Sequence, residues 1–274
     1  MCLKRYIMHP ARTLGCTQGD AFSLGEPILV KKCPGVRVAL EISMPKERPR
    51  LLSLFGWCLA VLPALAQAPA SELPATAAAQ LAESLAASKS HARHIWRDTP
   101  PLNDDGSVNG YVEIARGDRR KWEFNMAANE RAIDRTIPEQ VGGYPVNYGF
   151  VPQTVSYDGD PFDILVLGPP IEGGRVVRGT IVGLMLMEDE KGPDAKVVVS
   201  TLDAAGRPQH QLTDNDRREM TDYFRRYKLH EPGKFSKVPG WGSTADGLAW
   251  VRTTHRFFNE CRGASGAPCR LSSR

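Results

Sequence analysis

The spacing of apolar residues changes once along the chain, near Thr213, and this change constrains the fold more than any other feature. Before it, short runs of β-forming residues alternate with turns that contain Gly and Asp, which predicts a series of strands. The strands are expected at residues 111–115, 121–126, 132–137, 162–167, 176–187 and 196–201. After it, the spacing becomes helical.

Two helices are predicted in the C-terminal part. Thr213 and Asp216 have the spacing of a capping box, and Met220 and Phe224 then recur at a helical interval. A second helix is expected over residues 246–260. Strands followed by helices indicate an α+β protein, mainly β, in which a small β-barrel is flanked by two C-terminal helices.

The N-terminal region reads as a targeting segment. Residues 51–66 form a nearly unbroken apolar run, preceded by Lys46, Arg48 and Arg50 and followed by Ala-Gln-Ala at 66–68. This is the pattern of a secretory signal peptide, placed at 44–68, and the run is short for the alternative, a transmembrane anchor. We therefore expect translation to start at Met44, residues 1–43 to be a spurious extension, and the mature protein to be periplasmic or secreted, with a cytoplasmic location as the alternative.

The charged residues are also distributed unevenly between the N-terminal targeting segment and the rest of the chain. Residues 1–68 carry nine Lys and Arg against four Asp and Glu, whereas residues 69–274 carry 26 against 27. The basic excess belongs to the targeting region, and the rest of the chain is close to neutral. A nucleic-acid partner is therefore not expected, and a membrane is expected only through the secretion signal.

The mature chain divides into three parts by composition. Residues 69–105 are Ala-rich and polar and are interpreted as a tether with a short helix at about 77–88. Residues 106–262 form the predicted domain, and 263–274 a C-terminal tail. Cys261 and Cys269 either close a small disulfide loop or remain free thiols.

The segment from Asp158 to Asp163 reads Asp-Gly-Asp-Pro-Phe-Asp and carries most of the chemical information. Three carboxylates this close repel one another, so a folded site needs a compensating cation, and a hard divalent ion such as Mg²⁺ prefers oxygen ligands. An EF-hand is excluded, because Asp163 and Pro169 stand where that loop needs Gly and Glu. A solvated acidic turn is the plain alternative.

Further polar residues recur on both sides of this segment. Asp189 and Asp194 flank a predicted hairpin turn, and Lys196 follows. Carboxylates of this kind hold metal ions, while Lys, Arg and Tyr bind phosphate oxygens. The combination favours a site for several metal ions and a polyphosphate. The additional candidates are Glu113, Lys121, Glu123, Arg135, Tyr148, Tyr227 and Lys228.

With these motifs in order, the chain resembles the soluble family I inorganic pyrophosphatases over residues 111–241. The acidic segment matches the family signature D-x-D-P-x-D. The other matching motifs are Lys121-x-Glu123, Arg135, Tyr144-Pro145-x-Asn147-Tyr148-Gly149, Asp189-x4-Asp194-x-Lys196 and Tyr227-Lys228. The resemblance implies a five-stranded OB-like barrel and hydrolysis of pyrophosphate to two orthophosphates.

The resemblance also implies a set of metal ligands. Asp158, Asp163 and Asp194 would hold a first Mg²⁺, with Asp163 bridging to a second. Asp189 and Asp194 would take an ion that arrives with the substrate, and Glu123 would hold another through water. Several Mg²⁺ ions per site are therefore expected, with Mn²⁺ or Zn²⁺ as substitutes.

The remaining site residues receive roles from the same resemblance. Asp160 would deprotonate the attacking water, together with Tyr148 and Arg135 as catalytic groups, and no phosphoenzyme is expected. The phosphates would be held by Lys121, Arg135, Tyr227 and Lys228. The pocket would be supported by Glu113 and Lys196.

Two other functions compete with this reading. An OB-type module could bind nucleic acid or phosphate without turnover, but such a surface needs a basic groove, whereas this site is rich in acid. A metal-dependent phosphohydrolase could prefer nucleotides, although no base-stacking aromatic pair stands out near the acidic segment. A homo-oligomer is expected, but the stretch between Lys196 and Tyr227 is shorter than in common bacterial members, which puts the familiar hexamer in doubt.

Overall fold

A computed structural model describes residues 68–272. As the sequence predicts, a series of strands is followed by two helices, but two further helices precede these strands and one strand lies between the two C-terminal helices. The helices are α1 (Ala75–Ser88), α2 (Ile95–Asp98), α3 (Asp214–Arg226) and α4 (Thr244–Cys261). The strands are β1 (Glu72–Leu73), β2 (Val108–Ile114), β3 (Arg120–Asn125), β4 (Glu130–Thr136), β5 (Asn147–Phe150), β6 (Asp163–Leu167), β7 (Val176–Asp189), β8 (Gly192–Pro193), β9 (Lys196–Thr201), β10 (Ser236–Gly242) and β11 (Cys269–Arg270).

The predicted extension 1–43 and all but the last residue of the predicted signal peptide 44–68 lie outside the described residues. Within residues 68–272, no helix is both long and apolar enough to cross a membrane.

The main sheet is organised by β7, the longest strand. Its N-terminal half pairs with β2 and its middle with β9, while its C-terminal half pairs with the edge strand β10. Further pairings run from β2 to β5, from β5 to β6, and from β6 to β9 in parallel, so the hydrogen bonding returns to β7 through five strands. The mixed α+β class, mainly sheet, is confirmed, whereas the OB-like arrangement stays a prediction.

All six predicted strands are present, but β5 and β10 were missed, as were the two-residue strands β1, β8 and β11. Strand β5 has four residues, and Gly149 lies so close to β2 that a Cβ there would stand 1.8 Å from the Tyr111 carbonyl oxygen. Strand β10 contains Pro239, which an edge strand tolerates because its other side needs no hydrogen-bond donor. The prediction therefore failed at β5 and β10 because they contain Gly or Pro, which are uncommon in strands.

Both C-terminal helices begin with capping boxes, and the one predicted from Thr213 and Asp216 is confirmed. Helix α4 packs over β7 and β9, with Trp250, Val251 and Phe257 buried. Met220 and Phe224 of α3 are buried in a second apolar cluster, against Leu165 and Met185 of the sheet.

The prediction of a tether over residues 69–105 is wrong, because this segment is part of the core. Leu73, Ala77, Ala78 and Leu81 are fully buried, and Trp96 is 1% exposed. Alanine lowers the apparent hydrophobicity of the segment, but spaced on one helical face it still forms an apolar surface that packs against the core.

The predicted C-terminal tail also takes part in the fold. Strand β11 lies within it and pairs with β1, and Cys269 forms a disulfide with Cys261 at the end of α4. The two cysteines are therefore not free thiols. The disulfide fixes β11 to α4, and β11 in turn holds β1 near the start of the described residues.

Candidate active site

A cleft of about 450 Å³ brings together nearly all of the predicted site residues. Twelve of the thirteen line it: Glu113, Lys121, Glu123, Arg135, Tyr148, Asp158, Asp160, Asp163, Asp189, Asp194, Tyr227 and Lys228. The thirteenth, Lys196, lies beneath the floor and is 1% exposed. Residues spread over more than a hundred positions thus converge on one concave surface.

The fold brings these side chains together from separate elements. The β3–β4 hairpin supplies Lys121, Glu123 and Arg135, and the loop before β6 supplies the acidic segment. Asp189 ends β7 and pairs with Gly192 of β8, so the predicted hairpin turn is confirmed and directs Asp194 back toward the cleft. Tyr227 caps the C-terminus of α3 and Lys228 follows it.

Lys196 binds two carboxylates of the floor. Its Nζ donates to Asp163 Oδ2 and, at 2.8 Å, to Asp194 Oδ1. Burial opposes the charge of Lys196, but the two carboxylates outweigh it and raise its pKa above the usual value. Burial also raises the pKa of Asp194 to about 8, with Asp163 adding to the rise and Lys196 opposing it. The floor therefore has more negative charge than its lysine compensates.

The acidic segment shows the same crowding. Asp158 Oδ1 accepts a hydrogen bond of 3.1 Å from the backbone N–H of Asp160. Burial, together with the Asp158 carboxylate, raises the pKa of Asp160 to about 7. Lys191 partly compensates, with its Nζ 3.4 Å from Asp158 Oδ2 and 3.6 Å from Asp160 Oδ2.

Asp189 is paired with a predicted phosphate ligand. Lys228 Nζ donates to Asp189 Oδ2 at 2.5 Å and lies 3.4 Å from Glu190 Oε1. Burial is the largest single effect and raises the pKa of Asp189, but the hydrogen bonds from Lys228 and from the backbone N–H of Lys191, together with the charge of Lys228, outweigh it and lower that pKa. Asp189 and Lys228 thus form a buried ion pair.

The β3–β4 hairpin places cations on the opposite side of the cleft. Lys121 Nζ binds Glu123 and lies 3.6 Å from Asp134 Oδ2. Arg135 donates from Nη1 to Asp134 at 2.5 Å and from Nη2 to Glu231 at 2.7 Å. Its Nε is buried and has no hydrogen-bond partner within residues 68–272, so one donor is left for another group.

Glu113 and Lys196 are buried at the base of the cleft, and Tyr148 is half-buried beside them. Glu113 accepts a hydrogen bond of 2.7 Å from the backbone N–H of Phe124, and burial raises the pKa of Glu113 well above its usual value. Lys196 Nζ lies 5.6 Å from the ring centre of Tyr148, a cation–π contact. Burial likewise raises the pKa values of Tyr148 and Tyr227, so both phenols remain hydrogen-bond donors.

The donors in the cleft fit hard divalent cations. Carboxylates predominate among the oxygen donors that line the cleft, and burial and neighbouring carboxylates raise the pKa values of Asp160 and Asp194, a crowding that a bound cation would relieve. Within the described part of the chain, no three His, Cys, Asp or Glu side chains are already grouped closely enough to hold a metal ion. Lysines contact several of the carboxylate oxygens that a cation would use.

Several cleft residues were missed by the sequence analysis. Lys191 stands between Asp189 and Asp194 and could have been found from that position. Glu231, which lies outside the cleft lining, belongs to no motif, and only the fold shows its pairing with Arg135. Gln80 and Ser84 of α1 also line the cleft, and no sequence signal points to them, because their segment was interpreted as a tether.

Comparison with known proteins decides the family. A family model described as inorganic pyrophosphatase matches residues 110–259, more than half of the chain. The chain belongs to the inorganic pyrophosphatase family. The resemblance to the soluble family I enzymes is thereby confirmed, and the matched residues include every predicted site residue.

Individual relatives agree with this family. Over 155 residues the chain is 35% identical to the inorganic pyrophosphatase of Sulfolobus acidocaldarius, an overlap that covers 54% of this chain and 89% of the relative. The Ralstonia nicotianae inorganic pyrophosphatase is 41% identical over 152 residues, with 53% and 86% covered. The crystal structure of the Thermus thermophilus enzyme superposes with a TM-score of 0.55 at 33% identity, covering 60% of this chain and 99% of that one.

Proposed function

We propose that this chain hydrolyses inorganic pyrophosphate to two orthophosphates with the help of several Mg²⁺ ions. The observation that carries the proposal is the composition of the cleft, whose lining combines many carboxylates with the cations and phenols of Lys121, Arg135, Tyr148, Tyr227 and Lys228. Pyrophosphate is a compact polyanion, so it needs both metal ions and cationic side chains around it.

The residues that would hold the metal ions are Asp158, Asp163, Asp189, Asp194 and Glu123. When bound, the ions would neutralise substrate charge and lower the pKa of the attacking water. Lys196 would keep Asp163 and Asp194 in place from below, since it is buried and contacts both. Lys191 and Lys228 would exchange their carboxylate partners for phosphate oxygens.

The substrate would be bound by Lys121, Arg135, Tyr227 and Lys228. Arg135 has a buried Nε without a partner among the described residues, which leaves a donor for a phosphate oxygen. Tyr227 is 6% exposed, and because its pKa is raised it would donate a hydrogen bond rather than carry charge. Tyr148 and Glu113 would shape the base of the pocket.

Asp160 would accept the proton of the attacking water. Its carboxylate is half-exposed at the cleft surface, where it can reach a water, and a carboxylate within hydrogen-bond reach of that water can serve as the general base. Direct attack by water makes a phosphoenzyme unnecessary. Protein quenched in acid during turnover of ³²P-labelled pyrophosphate should therefore carry no label, and a stoichiometric label would contradict this step.

The substrate class is tested by phosphate release from pyrophosphate, tripolyphosphate and ATP, each with Mg²⁺, Mn²⁺ or Zn²⁺. We expect pyrophosphate with Mg²⁺ to be the best combination and excess chelator to stop the reaction. A preference for ATP would favour a nucleotide phosphohydrolase. A folded protein that is inactive with every combination would favour a binding module.

We also propose that residues 44–68 direct export and that the enzyme works in the periplasm as a homo-oligomer. The Cys261–Cys269 disulfide supports an oxidising compartment. N-terminal sequencing of protein from the periplasmic fraction should give a start near Pro69. Mature protein found in the cytosolic fraction alone would contradict export, and a monomer in sedimentation would contradict assembly.

A further inference from the structure

Gln80 of α1 contacts the carboxylate proposed as the base. Its Nε2 donates a hydrogen bond of 2.7 Å to Asp160 Oδ1, across a separation of 80 residues. Gln80 lies outside the segment 110–259 that matches the family model, so family membership gives it no role.

The packing of α1 aims Gln80 at the cleft. Ala77, Ala78 and Leu81 are fully buried and fix one face of the helix against the core. Gln80 and Ser84, four residues apart, share the neighbouring face and line the cleft. The direction of the Gln80 side chain is thus set by core packing.

Both ends of the α1 segment are also held. β1 pairs with β11, and Tyr157 donates from its hydroxyl to the Ala70 carbonyl oxygen at 3.1 Å. At the other end, Arg97 Nη1 donates to the Ser88 carbonyl oxygen at 2.7 Å. A helix tied at both ends can position a side chain to within a few tenths of an ångström.

The loop that carries Asp160 is shaped to receive Gln80. Gly159 has φ +93°, and a Cβ at this position would stand 2.7 Å from Gln80 Cδ. The second oxygen of Asp160 faces Lys191, whose Nζ is 3.6 Å away. Gln80 and Lys191 therefore contact different oxygens of one carboxylate and fix its plane.

We propose that Gln80 is a positioning residue that orients Asp160 to take the proton of the water that attacks pyrophosphate, a role that rests on the function proposed above. The Asp160 side chain is half-exposed, so a directed donor determines which of its oxygens faces the substrate. An amide suits this task because it donates without adding charge beside the metal ligands.

The role is tested by kinetics of Gln80→Met and Gln80→Glu. Methionine keeps length and helix propensity but removes the donor, and we expect kcat to fall roughly 10-fold with KM changed by less than about twofold. Glutamate keeps the shape but repels Asp160, so its kcat should be lower still. Glu83→Met, at an exposed position of the same helix, is the matched control and should keep wild-type kcat.

A purely steric role would give the opposite ranking, with Glu close to wild type. The proposal is overturned if Gln80→Met and Gln80→Glu both keep wild-type kcat. It is also overturned if Gln80→Met lowers kcat by the same factor in an Asp160→Asn background as in the wild type, because a residue that acts through Asp160 should have little effect, less than about twofold, once the base is lost.

The hydrogen bond between Gln80 and Asp160 can also be tested by NMR, without measuring catalytic activity. In metal-free protein, the side-chain amide signals of Gln80, assigned by their loss in Gln80→Met, should shift in Asp160→Asn and stay in place in Asp222→Asn, a change at an exposed position on α3. Unshifted signals in Asp160→Asn would overturn the proposal even in an active enzyme. An inactive wild type with the expected shift would instead overturn the proposed function and leave the contact established.

Discussion

The two walls of the cleft differ in how they are encoded. The motif wall consists of the cleft residues from Glu113 to Lys228, which fall within the family match and occur in recognisable motifs. The helix wall consists of Gln80 and Ser84, which precede that match. The motif wall supplies charge, and its residues are identifiable by type and spacing. The helix wall positions the Asp160 side chain through Gln80, and neither the type nor the spacing of its residues indicates a functional site.

The difference has a physical origin. Metal and phosphate binding require particular functional groups, so the residue types themselves carry the signal. Positioning requires only that a donor be held at the right place, and that place is set by packing elsewhere in the chain. Changes to the motif wall should therefore reduce activity more than stability, and changes to the support of the helix wall should do the reverse.

The largest effect on activity within this comparison is expected for Arg135→Met. Removing one preorganised cation that stabilises phosphate charge should lower kcat roughly 100- to 1,000-fold. Stability should change by at most about 1 kcal/mol, since Arg135 is 25% exposed and its partners can turn to solvent.

Arg120→Met is the matched control for that variant. Arg120 is 55% exposed, is paired with Asp118 on the same hairpin and lies outside the cleft lining, so kcat should stay within about twofold of wild type. Equal losses in the two variants would mean that the hairpin tolerates neither change and that the motif wall has no special role.

The largest effect on stability is expected for Leu81→Ala. Leu81 is fully buried in the core cluster that also contains Leu73 and Trp96, so truncation should lower the free energy of unfolding by about 3 kcal/mol. Thermal and urea unfolding would measure this. Leu229→Ala, at a position 67% exposed, should cost less than about 0.5 kcal/mol. If Leu81→Ala and Leu229→Ala were equally stable, residues 69–105 would act as a tether and would not be part of the core.

A somewhat smaller effect is expected when the disulfide is removed. The Cys261–Cys269 bridge closes a short loop, and in the chain-entropy account its loss should destabilise the protein by about 2 to 3 kcal/mol. Dithiothreitol should shift the unfolding midpoint of the wild type and leave that of the Cys261→Ser, Cys269→Ser variant unchanged. A wild type that reductant does not shift would show that β11 needs no covalent support.

The sequence identifies most residues of the motif wall, but it gives no sign that Gln80 and Ser84 of the helix wall line the cleft. The acidic segment, the Lys-x-Glu pair and the Asp189 and Asp194 turn can be recognised locally, and the fold does bring them into one cleft. The pairing of Lys196 with Asp163 and Asp194 is a property of the fold, because their neighbouring strands β6 and β9 are joined by a crossover. Local spacing cannot show such contacts.

The two longer missed strands have a common cause. Strands β5 and β10 contain Gly or Pro, so their local preference for strand is weak and tertiary packing overrides it. The short helix predicted at about 77–88 is present as α1, since Ala favours helix, and only its packing against the core was missed. The sequence leaves two states open for Cys261 and Cys269, a disulfide or two free thiols. Only the structure, in which β11 lies beside the end of α4, shows that they form a disulfide.

The most direct test of the central claim is phosphate release from pyrophosphate with Mg²⁺ by the wild type and by Asp160→Asn. Replacing the base by an amide of the same shape should lower kcat by roughly 10²- to 10⁴-fold, while the free energy of unfolding stays equal or rises because a crowded carboxylate is removed. Asp222→Asn should match the wild type. An Asp160→Asn enzyme that releases phosphate at the wild-type rate would contradict the assignment of the base, and with it the role of Gln80.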